Sequence, residues 1–285
     1  AEGEIIARIG TMSNGQSHET VYAQMLAEKL GVAMDRIRLV QGDSNETPWG
    51  MGTGACRSMT IGGSALVNAG DDLIENGREA ASKLLEAAAQ DIEYDNGAYR
   101  ISGTDRMITL TQIAADRPLT SSHSYAPQNS TFPNGCHIAE VVIDPETGVV
   151  ILDCYSMAQD VGRALNPMVV EGQLAGGVAQ GVGQALLERS HHDQASGQLL
   201  TGSFMDCALP RAHDLPFFKT RILEVHCTHN PTGVKSVGEA GPTAAPAAVI
   251  NAIVDALAPL GVTEIKMPAT PETVFRAIQG VRFSN

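Results

Sequence analysis

Glycine placement constrains this chain more than any other feature. Its 285 residues include 29 glycines, above the usual share of about 7%, and many fall in four short segments. These are Ser13-Asn14-Gly15-Gln16-Ser17-His18-Glu19-Thr20, the loop Gly50–Ser58, the stretch Asp160–Gly181, and Ser236-Val237-Gly238-Glu239-Ala240-Gly241-Pro242. Glycine lacks a Cβ, so backbone can come close to a ligand or to other backbone there, at a cost in conformational entropy. Any fold for this chain must use that closeness.

Each segment has two readings. The first is a loop at a helix N-terminus, which offers free N–H groups to an anion; ordinary capping by Ser17 or Thr20 explains it equally simply. The second has the pattern G-x-G-x-G and no P-loop lysine, so it is not a nicotinamide-dinucleotide fingerprint. Its successive N–H groups could still nest an anion. In the third, Gly172, Gly176, Gly177 and Gly181, with Gly183 just beyond, lie in a helical pattern, where each costs about 1 kcal/mol relative to alanine. Tight helix packing and ligand approach are both open. The fourth places Glu239 between two glycines before an almost uncharged helix. Apolar company would favour the neutral carboxyl and suit it to general-base work; a surface turn is the alternative.

Composition excludes several classes. A formal charge of −13 argues against binding a phosphate backbone, which needs a basic surface. The five cysteines (Cys56, Cys136, Cys154, Cys207, Cys227) are odd in number and contain no CxxC pair, so they suit neither a zinc site, an iron–sulfur cluster nor a disulfide framework. A reducing, cytoplasmic compartment is the expectation. The weakly polar run Thr243–Val262 contains Asn251, Asp255, Pro246 and Pro259, which predicts a buried alanine-rich helix rather than a membrane span. His226/His229 and His191/His192 read as hydrogen-bonded or solvated histidines.

Periodicity predicts a strand around Ile5–Ile9, a helix over Glu19–Leu30 stopped by Gly31, a strand over Arg36–Val40 and a helix from about Gly63 to Ala89. The Ser/Pro/Asn-rich stretch 121–135 marks a boundary. Beyond it come strands His137–Asp144 and Val149–Ser156 joined by Pro145-Glu146-Thr147-Gly148, a helix from Pro167 to about Glu188, a strand over Thr220–Cys227, and helices from Thr243 and Pro271. No regular βαβ rhythm is visible. The expectation is an α+β fold with mixed sheets packed by helices in two subdomains, 1–132 and 133–285.

The four segments, in this order, resemble the C-terminal half of the molybdenum-binding large subunit of the molybdenum hydroxylases. That family includes xanthine dehydrogenase, aldehyde oxidase and the aerobic carbon monoxide dehydrogenase group, and the chain is most similar to the bacterial carbon monoxide dehydrogenase-like branch. The strings carrying the likeness are Asn14–Thr20, Gly52-Thr53-Gly54 with Arg57-Ser58, Asp160–Gly181 and Val237–Gly241, with the tail Met267–Glu272. It departs at Ser17, where many relatives have glycine, and at Cys56, where serine is usual.

The resemblance implies a molybdopterin cofactor carrying molybdenum, in the cytosine dinucleotide form. Asn14, Gly15 and Gln16 would contact the pterin, and Ala55, Cys56, Arg57 and Ser58 would offer backbone and hydroxyl groups to it and its phosphates. Gln173 would hydrogen-bond it from the glycine-rich helix, Gly238 would lie beside the metal, and Glu239 would be the catalytic base. No protein side chain would coordinate molybdenum. The implied reaction hydroxylates a small carbon substrate (carbon monoxide, an aldehyde or an N-heterocycle) with water as oxygen donor. Electrons would leave through Fe–S and FAD partner subunits, and an upstream half of the large subunit would complete an oligomeric assembly, so the isolated chain would not turn over. The competing expectation is a scaffold that binds no cofactor; the presence of Gln16, Gln173 and Glu239 weighs against it.

Overall fold

The computed structural model describes residues 3–47 and 49–282. It divides into two compact units, the described residues of Ala1–Thr131 with His226–Ser236, and those of Phe132–Val225 with Val237–Asn285. The first boundary falls inside the Ser/Pro/Asn-rich stretch. The sequence division at 132/133 treats both pieces as continuous, whereas residues 226–236 pack with the first unit.

The first unit opens with β1 (Ile5–Arg8), α1 (His18–Leu30) and β2 (Ile37–Val40). β1 and β2 pair in parallel, so α1 is their crossover, a βαβ unit that the sequence pattern did not reveal. Gly31 ends α1 with φ 57°, and its N–H bonds Ala27 O, as expected of a glycine stop. After the second glycine-rich loop, a π turn over Ser58–Gly63 leads into α2 (Ser64–Leu85). Then come β3 (Ile92–Asp95), β4 (Ala98–Ile101) and β5 (Met107–Thr109), an antiparallel meander, and α3 (Leu110–Asp116). Thr109 caps α3, its hydroxyl accepting the Gln112 N–H. The core joins Leu30, Ala81, Leu85, Ile92, Tyr99 and Ile113.

In the second unit, β6 (Asn134–Ile143) and β7 (Val150–Asp160) form the expected antiparallel hairpin, with a bulge at Glu140/Val141. α4 (Pro167–Leu186) starts on Pro167, with Asn166 Oδ1 accepting the Val169 N–H at 3.1 Å. β8 (Phe218–Leu223) joins β7 in parallel. α5 (Ala240–Leu257) and α6 (Pro271–Arg282) close the chain. Gly241, Ala245, Val249, Ile253 and Leu257 are buried along one stripe of α5, while Asn251 and Asp255 face solvent. With its 3-10 extension, residues Ala240–Leu260 are long and apolar enough to cross a membrane by length and composition, at a mean hydropathy of 1.5. The buried stripe instead joins Tyr155, Leu174, Val178, Val182 and Ile278 in this unit's core, as expected of a core helix.

A pH dependence is built into this core. Tyr155 Oη donates to His137 Nδ1 at 2.8 Å, and His137 Nε2 contacts Gln159 Oε1 at 3.4 Å. Burial holds His137 below its ordinary pKa, against the Gln159 bond that raises it, and burial pushes the Tyr155 phenol upward. The unfolded imidazole takes a proton near pH 6.5 and the folded one only lower down, so the unfolded state binds more protons in that window and stability rises with pH. Urea midpoints are therefore expected to fall as pH drops below about 6.5, and His137→Asn is expected to flatten the slope. An unchanged slope would contradict this reading.

Candidate functional site

The first unit gathers the first two glycine-rich segments. Gly15 has φ 97°, and Ser17, at the N-cap of α1, has φ 61° and makes no side-chain cap bond. Capping by Ser17 is thus not realised. The Gln16 side chain folds onto its own loop, its Oε1 accepting the Asn14 N–H and its Nε2 donating to Met12 O at 3.4 Å. Beneath it His18 is buried, with its Nδ1 unpartnered. Burial holds the imidazole below its ordinary pKa, against a Gln41 bond and the Glu19 charge.

The second loop comes directly against the strand end leading to the first. A Cβ on Gly50 would sit 2.4 Å from Gly10 O and 2.5 Å from Gly10 Cα, so two backbones touch where neither residue could carry a side chain. Gly52 follows at φ 66°, then Ala55 and Cys56 at φ 50° and 53°. Successive non-glycine residues in the left-handed region cost about 1–3 kcal/mol each, and the conformation turns consecutive N–H groups the same way. Gly54 has neither a positive φ nor any atom within 4 Å of an added Cβ. Packing and conformation leave this glycine unexplained. Ser58 is buried, and its hydroxyl lies 3.0 Å from Thr53 Oγ1. Because the Thr53 proton goes to Met12 O at 2.6 Å, Ser58 is the donor in that pair. Its hydroxyl proton is engaged within the loop, and its oxygen remains an acceptor.

A cleft of about 240 Å³ opens beside this loop, lined by Ala55, Cys56, Arg57, Thr60 and Ile61 together with Tyr125, Pro127, Asn129, Ser130, Thr131, His229, Asn230 and Ser236. Of the last eight, the sequence reading singled out only Ser236, as the start of the fourth glycine-rich segment, and gave the other seven no role in a site. It took 121–135 as a boundary and His229 as a hydrogen-bonded or solvated histidine; Tyr125 Oη donates to the His229 backbone carbonyl at 2.9 Å and ties the two strips together. Their run of small polar side chains was the available signal.

The second unit separates the glycines of α4 by role. A Cβ on Gly177 would lie 2.6 Å from Pro242 Cδ, and one on Gly181 would lie 2.7 Å from Ala245 Cβ, so these serve the α4–α5 contact. Gly172 and Gly176 face open space, and an exposed helical glycine without a packing duty is costly. The packing reading holds at Gly177 and Gly181, while packing does not account for Gly172 and Gly176. Gln173 lies on α4 one turn before Gly177. Gly241 packs on the backbone of Gly177 and Val178, which brings the start of α5 against α4. Gly238 immediately precedes Glu239, the N-cap of α5, whose side chain makes no cap bond. Glu239 is exposed; the apolar company expected around it is not supplied by the described residues.

Among known proteins, the molybdopterin cofactor-binding domain family matches residues 1–216. The chain belongs to that family. It is 36% identical over 98% of its length to the gamma subunit of the 6-hydroxypseudooxynicotine dehydrogenase complex of Paenarthrobacter nicotinovorans. The fold superimposes on carbon monoxide dehydrogenase from Oligotropha carboxidovorans with a TM-score of 0.92 at 31% identity, covering 100% of this chain and 37% of that one. On quinoline 2-oxidoreductase from Pseudomonas putida 86 it scores 0.89 at 35% identity, covering 98% and 37%. The molybdopterin-binding chain spans 36% of the length of the gamma subunit. These relatives are molybdenum hydroxylases, and the resemblance to the carbon monoxide dehydrogenase-like branch holds. The α+β architecture of mixed sheets and helices is that of their molybdopterin-binding domains.

Proposed function

We propose that this chain cradles a molybdopterin cofactor, in the cytosine dinucleotide form, within a molybdenum hydroxylase that oxidises a small carbon substrate. The observation that carries the reading is the set of unfilled glycines: Gly54, followed by the left-handed Ala55-Cys56 pair, in the first unit, and Gly172 and Gly176 in the second. Backbone that neither packing nor conformation requires to be bare is suited to a flat, hydrogen-bonding ligand. When bound, the group supplies oxidative hydroxylation with water as oxygen donor. Asn14, Gly15 and Gln16 hold it from the first loop, Ala55, Cys56, Arg57 and Ser58 from the second, Gln173 from α4 and Gly238 from the turn before α5.

Glu239 takes up a proton at its carboxylate during the reaction. Its exposure in this chain is consistent with the reading, because the relatives are almost three times longer and the rest of such a subunit could desolvate it. The chain works in a cytoplasmic assembly with the remainder of a large subunit, an Fe–S subunit and an FAD subunit. The three relatives named above act on different molecules by their names, so the substrate class stays at this breadth.

Gly54→Ala tests the cradle. Where φ is unstrained and space is open, the change is expected to leave the cofactor-free protein as stable, or more stable by about 0.4–1 kcal/mol. Pterin and molybdenum per chain are expected to fall severalfold. Wild-type cofactor content in this variant would show that nothing approaches Gly54.

A further inference from the structure

Tyr22 lies in the middle of α1, wholly buried, and outside every contact assigned above. Its hydroxyl donates to Ser58 O at 2.9 Å, across 36 residues of sequence. Ser58 is where the second glycine-rich loop enters the π turn, a form of helix often found at functional sites. The Thr11 hydroxyl lies 3.3 Å from Tyr22 Oη and 3.5 Å from Gln41 Oε1, so its proton is shared between these two acceptors. Thr11 in turn lies three residues beyond the end of β1, on the segment that leads into the first loop. A Cβ on Gly62 would fall 2.9 Å from both Tyr22 Oη and Thr11 Cγ2, so the π turn is seated on this hydroxyl pair without slack. Burial pushes the phenol up to about 12, which keeps it a donor at any working pH.

A second tie runs parallel. Thr53 Oγ1 donates to Met12 O at 2.6 Å and accepts the Met12 N–H at 3.2 Å. On the far side of the first loop, Gln41 Nε2 and Ser13 Oγ both donate to the Glu19 carboxylate, at 2.9 and 3.1 Å. The second loop is therefore tied to Met12 through Thr53, and the first loop is fixed on its other side to the start of α1. A phenylalanine at position 22 would fill the same space, so the hydroxyl is needed for direction rather than packing.

We propose that Tyr22 is a positioning residue for the cofactor: its hydroxyl ties the carbonyl of Ser58 to Thr11 and so sets the second loop against the first. This rests on the cofactor reading above. Neither loop is free to choose its own backbone geometry, and Tyr22 acts on the ligand only through them.

The test is Tyr22→Phe in the full-length protein with its partner subunits. Amide hydrogen exchange over residues 53–58 of the cofactor-free form is expected to rise at least tenfold, with the rest of the first unit and the melting temperature close to wild type. Cofactor is expected to leave the loaded variant at least tenfold faster, and its Mo(V) paramagnetic resonance signal is expected to broaden. Thr53→Val cuts the parallel tie at nearly constant volume and is expected to loosen the same amides, which keeps the proposal testable should Tyr22→Phe fail to fold. Wild-type exchange at 53–58 in both variants would overturn it. So would a loosened loop with an unchanged cofactor off-rate and signal, while leaving the cofactor reading standing. A wild-type complex holding no pterin would overturn the cofactor reading itself, and this role with it.

Discussion

Glu239→Gln in the complete enzyme is expected to lower turnover by about 10²–10⁴-fold, the usual contribution of a positioned general base, while molybdenum and pterin per chain stay at wild-type levels. The structure makes this a clean substitution. Glu239 is exposed at the N-cap of α5 and makes no cap bond, so the amide removes a proton acceptor and leaves the helix start as it was. Stability is expected to stay within about 0.5 kcal/mol, as for a surface change away from packing. Steady-state rates together with elemental and pterin content separate the outcomes. Unchanged turnover would mean that the proton is taken elsewhere. A loss of cofactor in step with activity would make Glu239 a binding residue instead.

Gly241→Ala is expected to have the largest effect on stability. The new Cβ would fall 2.5 Å from Gly177 C and Val178 N and 2.7 Å from Gly177 Cα. All three are helix backbone, which cannot rotate out of the way as a side-chain tip can. α4 and α5 must move apart, and their separation loosens the packing of Leu174, Val178, Ala245 and Val249 in one core. Overpacking of this kind costs about 1–3 kcal/mol or more, exceeding the gain of about 1 kcal/mol from helix propensity. A lower urea midpoint at unchanged m-value is the expected reading. Gly176→Ala is the control on the same helix: open space surrounds it, so propensity acts alone and the cofactor-free protein is expected to gain up to about 1 kcal/mol. Equal shifts of the same sign in the two variants would contradict the division of these glycines into packing and open positions.

Much of the fold was legible because its signals are local. Gly31 and the apolar spacing of Val21, Met25, Leu26 and Leu30 define α1, and Pro167 marks the first turn of α4. Pro145-Glu146-Thr147-Gly148 turns β6 into β7, with Gly148 at φ 76°. The meander β3–β5 was missed although Asn96-Gly97, both at positive φ, is a strong hairpin signal; its strands are only three or four residues long and show little alternation. The crossover β1–α1–β2 escaped because two four-residue strands carry no sign of their pairing direction.

The site was legible as motifs and not as geometry. Asn14–Gln16, Ala55–Ser58, Gln173 and Gly238–Glu239 stand out by glycine context and by resemblance. Tyr22, Thr11 and the lining from Tyr125 to Thr131 with His229 and Asn230 stand out by neither. Each acts through a partner tens of residues away, as in the bonds from Tyr22 to Ser58 and from Tyr125 to His229. A pattern confined to one stretch of chain does not encode such a partnership. The return of residues 226–236 to the first unit is of the same kind, since nothing in that segment's composition shows which unit it packs with.

The most direct measurement is molybdenum by elemental mass spectrometry, with pterin fluorescence after oxidation, on the protein purified with its partner subunits from its native host. About one molybdenum and one pterin per chain is the expected result. A preparation with intact partners and intact Fe–S clusters that holds neither would contradict the cofactor reading and leave a scaffold that has kept the family's fold.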